Sequence, residues 1–284
     1  MLRIVSWNMQ WGRGVDGHVD LARIARVARQ TADFDLLCLQ EVAVNFPRLP
    51  GNDATDQPAR LGEFLPGYRG FFAPGSDLPE GAGGRSQFGN LIFSRLPVWQ
   101  VFRHLLPWPA DFSAPSMQRV ALELVVEAPW GPLRIVTTHL EYYSAVCRRA
   151  QIDGLRALHG EACAHGRGVR PDKGADQPFA TLPRPASAVV CGDFNFPPEA
   201  PEHGWITAPF DDGSTSLLDA WNVTHPGLPH AHSVGLHGAD WPDHPYCCDF
   251  LFLTPDLAAR VRRVEVNQET DASDHQPVLL ELAD

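Results

Sequence analysis

The chain has 284 residues, 44% hydrophobic and 20% charged, enough to bury a large core and ordinary for a soluble enzyme. Its formal net charge of −11 excludes long-range attraction for a phosphate backbone, so nucleic acid would have to be held by a local basic patch. No run approaches the roughly 20 apolar residues of a membrane helix, and no basic region followed by an apolar stretch opens the chain. Six cysteines without Cys-x-x-Cys spacing fit free thiols in a reducing compartment, so a cytoplasmic protein is expected.

Taken in chain order, residues 2–7 form a short β-type run. Residues 20–32 carry Leu21, Ile24, Ala25 and Ala28 at helical spacing behind Asp20, a residue type suited to an N-cap. Residues 35–40 read as a buried strand and 45–58 as a polar, proline-bearing loop. Strands are expected at 68–73 and 89–94, with a glycine-rich turn at 81–84 between them. Further strands follow at 98–106, 118–127 and 133–139, the last two joined by a turn through Pro129 and Trp130. Residues 144–163 are helical, with Ile152, Leu155 and Leu158 on one face. A Gly-, Pro- and charge-rich loop covers 166–185, including Lys173, the only lysine. Strands at 188–192, 250–253, 261–266 and 278–282 complete the chain. No linker has the length of a domain boundary and no repeat is visible. One domain over residues 1–284, with helices outside packed sheets, is the expected architecture.

Residues with reactive side chains recur at the ends of these strands. Asn8 follows the first strand and Glu41 the second. His139 ends the strand at 133–139, and Asp193 and Asn195 follow the one at 188–192. Asp249 precedes the strand at 250–253, and Asp274 and His275 stand ahead of the last one. A single carboxylate or amide at such a place is usually a turn-former. Six such segments in one chain, carrying types that bind hard cations and phosphate, make a stronger set.

This ordered set resembles the endonuclease/exonuclease/phosphatase superfamily, the DNase I-like metal-dependent phosphoesterases. The motifs Gly192-Asp193-Phe194-Asn195 and Ser273-Asp274-His275-Gln276-Pro277 are highly specific; Gln40-Glu41 and Thr138-His139-Leu140 are less so. The resemblance runs from Trp7-Asn8 to Ser273-Asp274-His275 and implies an α/β (α+β) four-layer sandwich. In it, two mixed β-sheets pack face to face with helices outside and the site at one edge.

The chemistry asks for these residue types on its own terms. A phosphodiester is anionic and repels hydroxide, so its hydrolysis needs a cation, a positioned water and help for the leaving oxygen. Glu41 is a hard oxygen ligand suited to Mg²⁺, with Mn²⁺ as substitute, and Asn8 adds a neutral oxygen nearby. Asp193 and Asn195, two apart on an extended segment, would point to one side: a carboxylate for the attacking water beside an amide for the phosphate. Asp274 and His275 should diverge, one toward the metal and one toward the phosphate. Asp249 would fix the His275 tautomer, and His139 would be a second donor. These assignments match the roles the resemblance implies.

The chain also departs from its relatives. Tyr246-Cys247-Cys248-Asp249-Phe250 lacks the basic residue often found before that aspartate, and Gln40-Glu41-Val42-Ala43 lacks the lysine of the abasic-site endonucleases. Arg119 divides between phosphate contact and a structural ion pair. The histidine-rich stretch 225–244 reads as a variable loop at the substrate rim rather than a zinc site. The favoured substrate is a small-molecule, lipid-headgroup or nucleotide-like phosphoester. Endo- or exonuclease action on DNA or RNA is the alternative, and a non-catalytic binding scaffold the remote one. No protein partner is inferable.

Overall fold

Most strands of this chain are apolar on both faces, the signature of sheets covered on both sides. A computed structural model describes residues 1–81, 83–168, 171, 174 and 178–284. In chain order the elements are β1 (Leu2–Asn8), α1 (Leu21–Thr31), β2 (Leu36–Val44), α2 (Gln57–Phe64), β3 (Arg69–Glu80), β4 (Gly84–Ser94), β5 (Val98–Leu105), β6 (Val120–Ala128) and β7 (Gly131–His139). Then come α3 (Ala145–Arg167), β8 (Ala188–Asp193), α4 (Pro201–Thr207), β9 (Leu218–Asp219), α5 (Ala220–Thr224), β10 (Asp249–Leu253), α6 (Pro255–Ala258), β11 (Val261–Val266) and β12 (Val278–Leu282). They build two six-stranded sheets, ordered β11-β12-β1-β2-β4-β3 and β5-β6-β7-β8-β10-β9. Both are mixed: β1–β2 and β7–β8 are parallel pairs inside otherwise antiparallel sheets.

Strand periodicity sorts the side chains into layers. Leu2 and Ile4 of β1, with Leu36 and Cys38 of β2, face Leu122, Leu124, Ile135, Val189 and Cys191 of the other sheet. The alternate residues Val5, Trp7, Leu37 and Leu39 face outward and are covered by Leu21, Ile24, Ala25 and Ala28 of α1. Ile152 and Leu155 of α3 cover the outer face of the second sheet with Val136 and Val190. The four layers follow, each fully buried Leu or Ile contributing about 1.5–3 kcal/mol. Asp20 caps α1 by accepting from Arg23 N, and Ser144 caps α3 by accepting from Cys147 N. All six cysteines are free and buried.

Several elements differ from expectation. β3 and β4 extend into a long hairpin, paired from Arg69↔Ser94 to Glu80↔Gly84, through a stretch whose Gly, Pro and Ser hid the strand pattern. β2 runs on past Glu41 to Val44. The short helices α2, α4, α5 and α6 were too brief for a periodic signal. Ala82 of the expected turn, and residues 169–170, 172–173 and 175–177 of the expected 166–185 loop, Lys173 among them, lie outside the described residues. Among the described residues no helix is long and apolar enough to cross a membrane.

Candidate active site

The parallel pairs bring their C-terminal ends out at one edge of the sandwich, where opposed sheets leave a crevice. Asn8 ends β1, His139 ends β7 and Asp193 ends β8, with His139 and Asp193 paired across the ladder. Asp249 opens β10 opposite Asp193 in the antiparallel pairing. Glu41 enters by a local distortion: the β2–β4 register shifts between Leu39 and Val42, and Glu41 takes a φ of 59°. A non-glycine residue held there is strained by roughly 1–3 kcal/mol and persists only where its surroundings hold it.

Asn8 organises the carboxylates. Its Nδ2 donates to Glu41 Oε1 at 3.1 Å and to Asp193 Oδ2 at 2.9 Å, and its Oδ1 accepts from Gln10 N at 3.1 Å. Gln10 Nε2 donates to Asp274 Oδ2 at 2.7 Å. Ser273 Oγ donates to the Asn8 carbonyl at 2.8 Å, stitching the loop before β12 to the end of β1. Asp193 Oδ1 accepts from Asn195 N at 2.9 Å and Asn195 has a φ of 55°. The segment therefore turns after β8 instead of staying extended; Asn195 Nδ2 donates to the Leu140 carbonyl at 2.9 Å.

The histidines differ in charge. His275 Nδ1 lies 2.9 Å from Asp249 Oδ2, which also accepts from Ser233 Oγ at 2.7 Å. Burial opposes a charge on His275, but Asp249 and Asp193 outweigh it and hold its pKa well above the ordinary value. His139 is pushed down to about 3 by burial and by Arg119, so it is neutral. Their Nε2 atoms lie 3.6 Å and 3.4 Å from Asp193 Oδ2, beyond normal hydrogen-bond length, which leaves both free to engage a phosphate oxygen.

A cleft of about 340 Å³ is lined by Glu41, Arg119, His139, Asp193, Asn195, Asp274 and His275, with Tyr142, Tyr143 and Trp241 at its rim. Six of the eight residues singled out from the sequence line this cleft; Asn8 lies beneath, bonded to Glu41 and Asp193, and Asp249 stands behind His275. Sequence reasoning missed Gln10 and Ser233, polar residues in loops that carry no motif. It also missed Tyr142 and Tyr143, whose only signal was their place after Thr138-His139-Leu140. Trp241 comes from the 225–244 stretch, as expected of a rim loop; the 45–58 stretch, which the sequence also offers as a cleft wall, borders a separate groove with α1 and α2. Arg119 forms the ion pair, its Nε 3.3 Å from Glu141 Oε2, and also lines the cleft.

Carboxylates, amides and imidazoles are gathered at one edge of a two-sheet sandwich. The chain belongs to the endonuclease/exonuclease/phosphatase family, whose model it matches over residues 5–275. Members of this superfamily are phosphoesterases. Among solved structures, an endonuclease/exonuclease/phosphatase from Beutenbergia cavernae is 26% identical, with a TM-score of 0.67 over 99% of this chain and 72% of that one. The mannosyl-6-phosphatase of Bacteroides thetaiotaomicron is 17% identical, with a TM-score of 0.67 and full coverage of both chains. A 3′ phosphatase from Neisseria bound to a product DNA hairpin is 19% identical, with a TM-score of 0.62 and full coverage of both. These last two share the fold. No curated protein matches by sequence.

Proposed function

We propose that this chain is a divalent-cation-dependent phosphoester hydrolase acting on a small-molecule, lipid-headgroup or nucleotide-like substrate. The observation that carries the reading is the convergence of Asn8, Glu41, Asp193, Asp274 and the two histidines on one cleft. The donor set fits a hard cation. Burial, then Asp274, push the Glu41 carboxyl up to about 7, and burial also raises Asp274. A buried carboxylate whose charge a neighbouring carboxylate further disfavours is what Mg²⁺ or Mn²⁺ relieves. Glu41 and Asp274 would hold the ion, with Asn8 and Gln10 setting their orientation. The ion would supply charge neutralisation at the phosphate oxygens.

The protein's own groups do the rest. Asp193, fixed by Asn8 and by the Asn195 backbone, orients the attacking water and takes up its proton. His275, charged and aligned by Asp249, donates from Nε2 to a non-bridging oxygen, and neutral His139 donates a second hydrogen bond. Asn195 lies at the cleft wall, where its amide can reach the phosphate.

Substrate preference follows from the walls. Among the described residues lining the cleft, Arg119 is the one arginine, and Glu141 partly neutralises it. The rim presents Tyr142, Tyr143 and Trp241, with Tyr142 and Trp241 edge-to-face at 4.8 Å. Such a rim suits a compact ester with an apolar or sugar-like group better than a long polyanion. The test compares kcat/KM for generic small phosphodiesters and monoesters with that for plasmid and abasic-site DNA, using one preparation with Mg²⁺ or Mn²⁺ across a salt series. The small ester should be preferred and excess chelator should abolish turnover. Efficient DNA cleavage that weakens steeply with salt would promote the nuclease reading, and full activity in chelator would sink the metal mechanism.

A further inference from the structure

Away from the catalytic edge, three segments bring together His203, Asp219 and His230. Asp219 ends β9, pairs with Phe252 of β10 and is buried. His203 comes from α4, and His230 from the stretch after α5. Both imidazoles aim Nε2 at one carboxylate oxygen: His203 stands 2.8 Å from Asp219 Oδ2 and His230 2.7 Å from the same atom. The other oxygen, Oδ1, accepts from Trp221 N at 2.9 Å. The three candidate ligand atoms lie within 4.8 Å of one another. Their side chains are 17%, 3% and 10% exposed for His203, Asp219 and His230, so the group is enclosed yet reachable from solvent. Aromatic rings wall it: Phe250 lies 5.5 Å from each imidazole, and Trp221 stacks against His230 at 5.6 Å.

We propose that His203, Asp219 and His230 form a second metal site that takes a borderline-soft dication of the zinc type. Two imidazole nitrogens and a carboxylate oxygen, with a fourth position left to solvent, are a zinc-type donor set; Mg²⁺ prefers oxygens alone. Bonds of about 2.0–2.1 Å in a tetrahedron put neighbouring ligand atoms roughly 3.3 Å apart. The present separations of 2.7 and 2.8 Å are those of ligands drawn together by hydrogen bonds. An opening of about half an ångström, within side-chain rotation, admits the ion. To coordinate, each imidazole takes the neutral Nδ1–H form: its Nε2 proton passes to Nδ1 when the ring is neutral, or to solvent when the ring is charged, and the carboxylate is already ionised and releases none.

The ion would tie α4, β9 and the 225–246 stretch into one unit. That stretch reaches the catalytic edge twice. Ser233, three residues after His230, holds Asp249 Oδ2, which aligns His275, and Trp241 forms the cleft rim. The site would therefore stiffen the support of the catalytic imidazole without touching substrate.

The test uses the full chain carrying Glu41→Gln and Asp274→Asn, which disables the catalytic cation site. This protein is equilibrated with Zn²⁺ or Co²⁺ in excess Mg²⁺, and metal content after removal of unbound ion, cobalt absorption and thermal midpoint are measured. One retained equivalent is expected, with a tetrahedral cobalt band and a midpoint raised by roughly 5 °C at a hundredfold excess over Kd. Adding His203→Gln or His230→Gln should abolish all three effects, while His232→Gln, exposed in the same stretch, should preserve them. Cys248→Ser provides an arm independent of how the histidine variants fold, because Asp193, Cys248 and His275 form another close donor group. Retention in Cys248→Ser supports the proposal. No bound equivalent, or one that survives His230→Gln or disappears with Cys248→Ser, overturns it and leaves a hydrogen-bonded His-Asp-His clamp.

Discussion

Two acidic centres, both withdrawn from solvent, have been given opposite electrostatics. Glu123 on β6 lies under α3 on the outer face of the second sheet, 1% exposed, with Arg134 Nε at 3.0 Å, Arg184 Nε at 3.3 Å and His104 Nε2 at 3.2 Å. Burial pushes its carboxyl up, but the His104 hydrogen bond and the two guanidiniums outweigh this and hold it at about 2. At the candidate active site, burial and then Asp274 push the Glu41 carboxyl up to about 7, and the Asn8 amide and His275 offset this only in part. The first centre is neutralised by its own chain. The second meets its negative charge only in part, which is the condition under which the proposed cation would bind. Burial of acid is common to both, and charge balance is what separates scaffold from chemistry.

The largest expected effect breaks the scaffold side. Glu123→Gln takes from the buried Arg134 its only carboxylate among the described residues, while Arg184 keeps Glu161, and should destabilise the fold by about 3–5 kcal/mol, read by denaturant unfolding, with kcat per folded molecule unchanged. The ionised Glu123 contributes stability that is present above its unfolded pKa of 4.5 and lost as pH falls toward about 2. Wild-type stability should therefore carry an acid-side slope over that window which the variant lacks. Equal acid slopes in the two proteins would remove Glu123 as the cause.

Next comes the catalytic side. Glu41→Gln should lower kcat/KM by about 10²–10³-fold, or roughly 3–4 kcal/mol of barrier, while the thermal midpoint of the chelated protein holds or rises. A variant that loses activity only in proportion to lost fold would place Glu41 with Glu123 as a structural acid.

The smallest effect sharpens the division within the site. Asp249 acts through His275, so Asp249→Asn should reduce kcat by about 10–100-fold, and the double variant with His275→Ala should be little worse than His275→Ala alone. Multiplicative losses in that cycle would give Asp249 a separate role.

Much of the fold was legible because most strands bury both faces and so read as short apolar runs. The runs at 35–40 and 188–192, which became parts of β2 and β8, are clear cases. The β3–β4 hairpin was only half legible. Beyond Gly75 neither strand has an apolar buried face, with Asp77, Leu78 and Pro79 exposed, so this part of the hairpin was under no pressure to alternate. The 225–244 stretch shows the same limit in function: as sequence it was an irregular scatter of histidines. In the fold His230 turns to Asp219, Trp241 turns to the cleft, and the expected rim role falls to one part of the stretch.

What the sequence by itself determined was the class of chemistry and the order of its parts. Local rules suffice for that, because a carboxylate, amide or imidazole at a strand end is visible from a few neighbouring residues. Which atoms meet was decided only by tertiary structure. Asn8 and Asp193 are 185 residues apart in the chain and 2.9 Å apart in space, joined because β1 and β8 stand in opposed sheets. The same packing turned Asn8 so that its nitrogen, rather than its oxygen, faces the carboxylates, and set Gln10 on Asp274 across 264 residues. Side-chain direction at a sheet edge depends on inter-sheet packing and on turns such as the one at Asn195, and neither leaves a periodic trace in the chain.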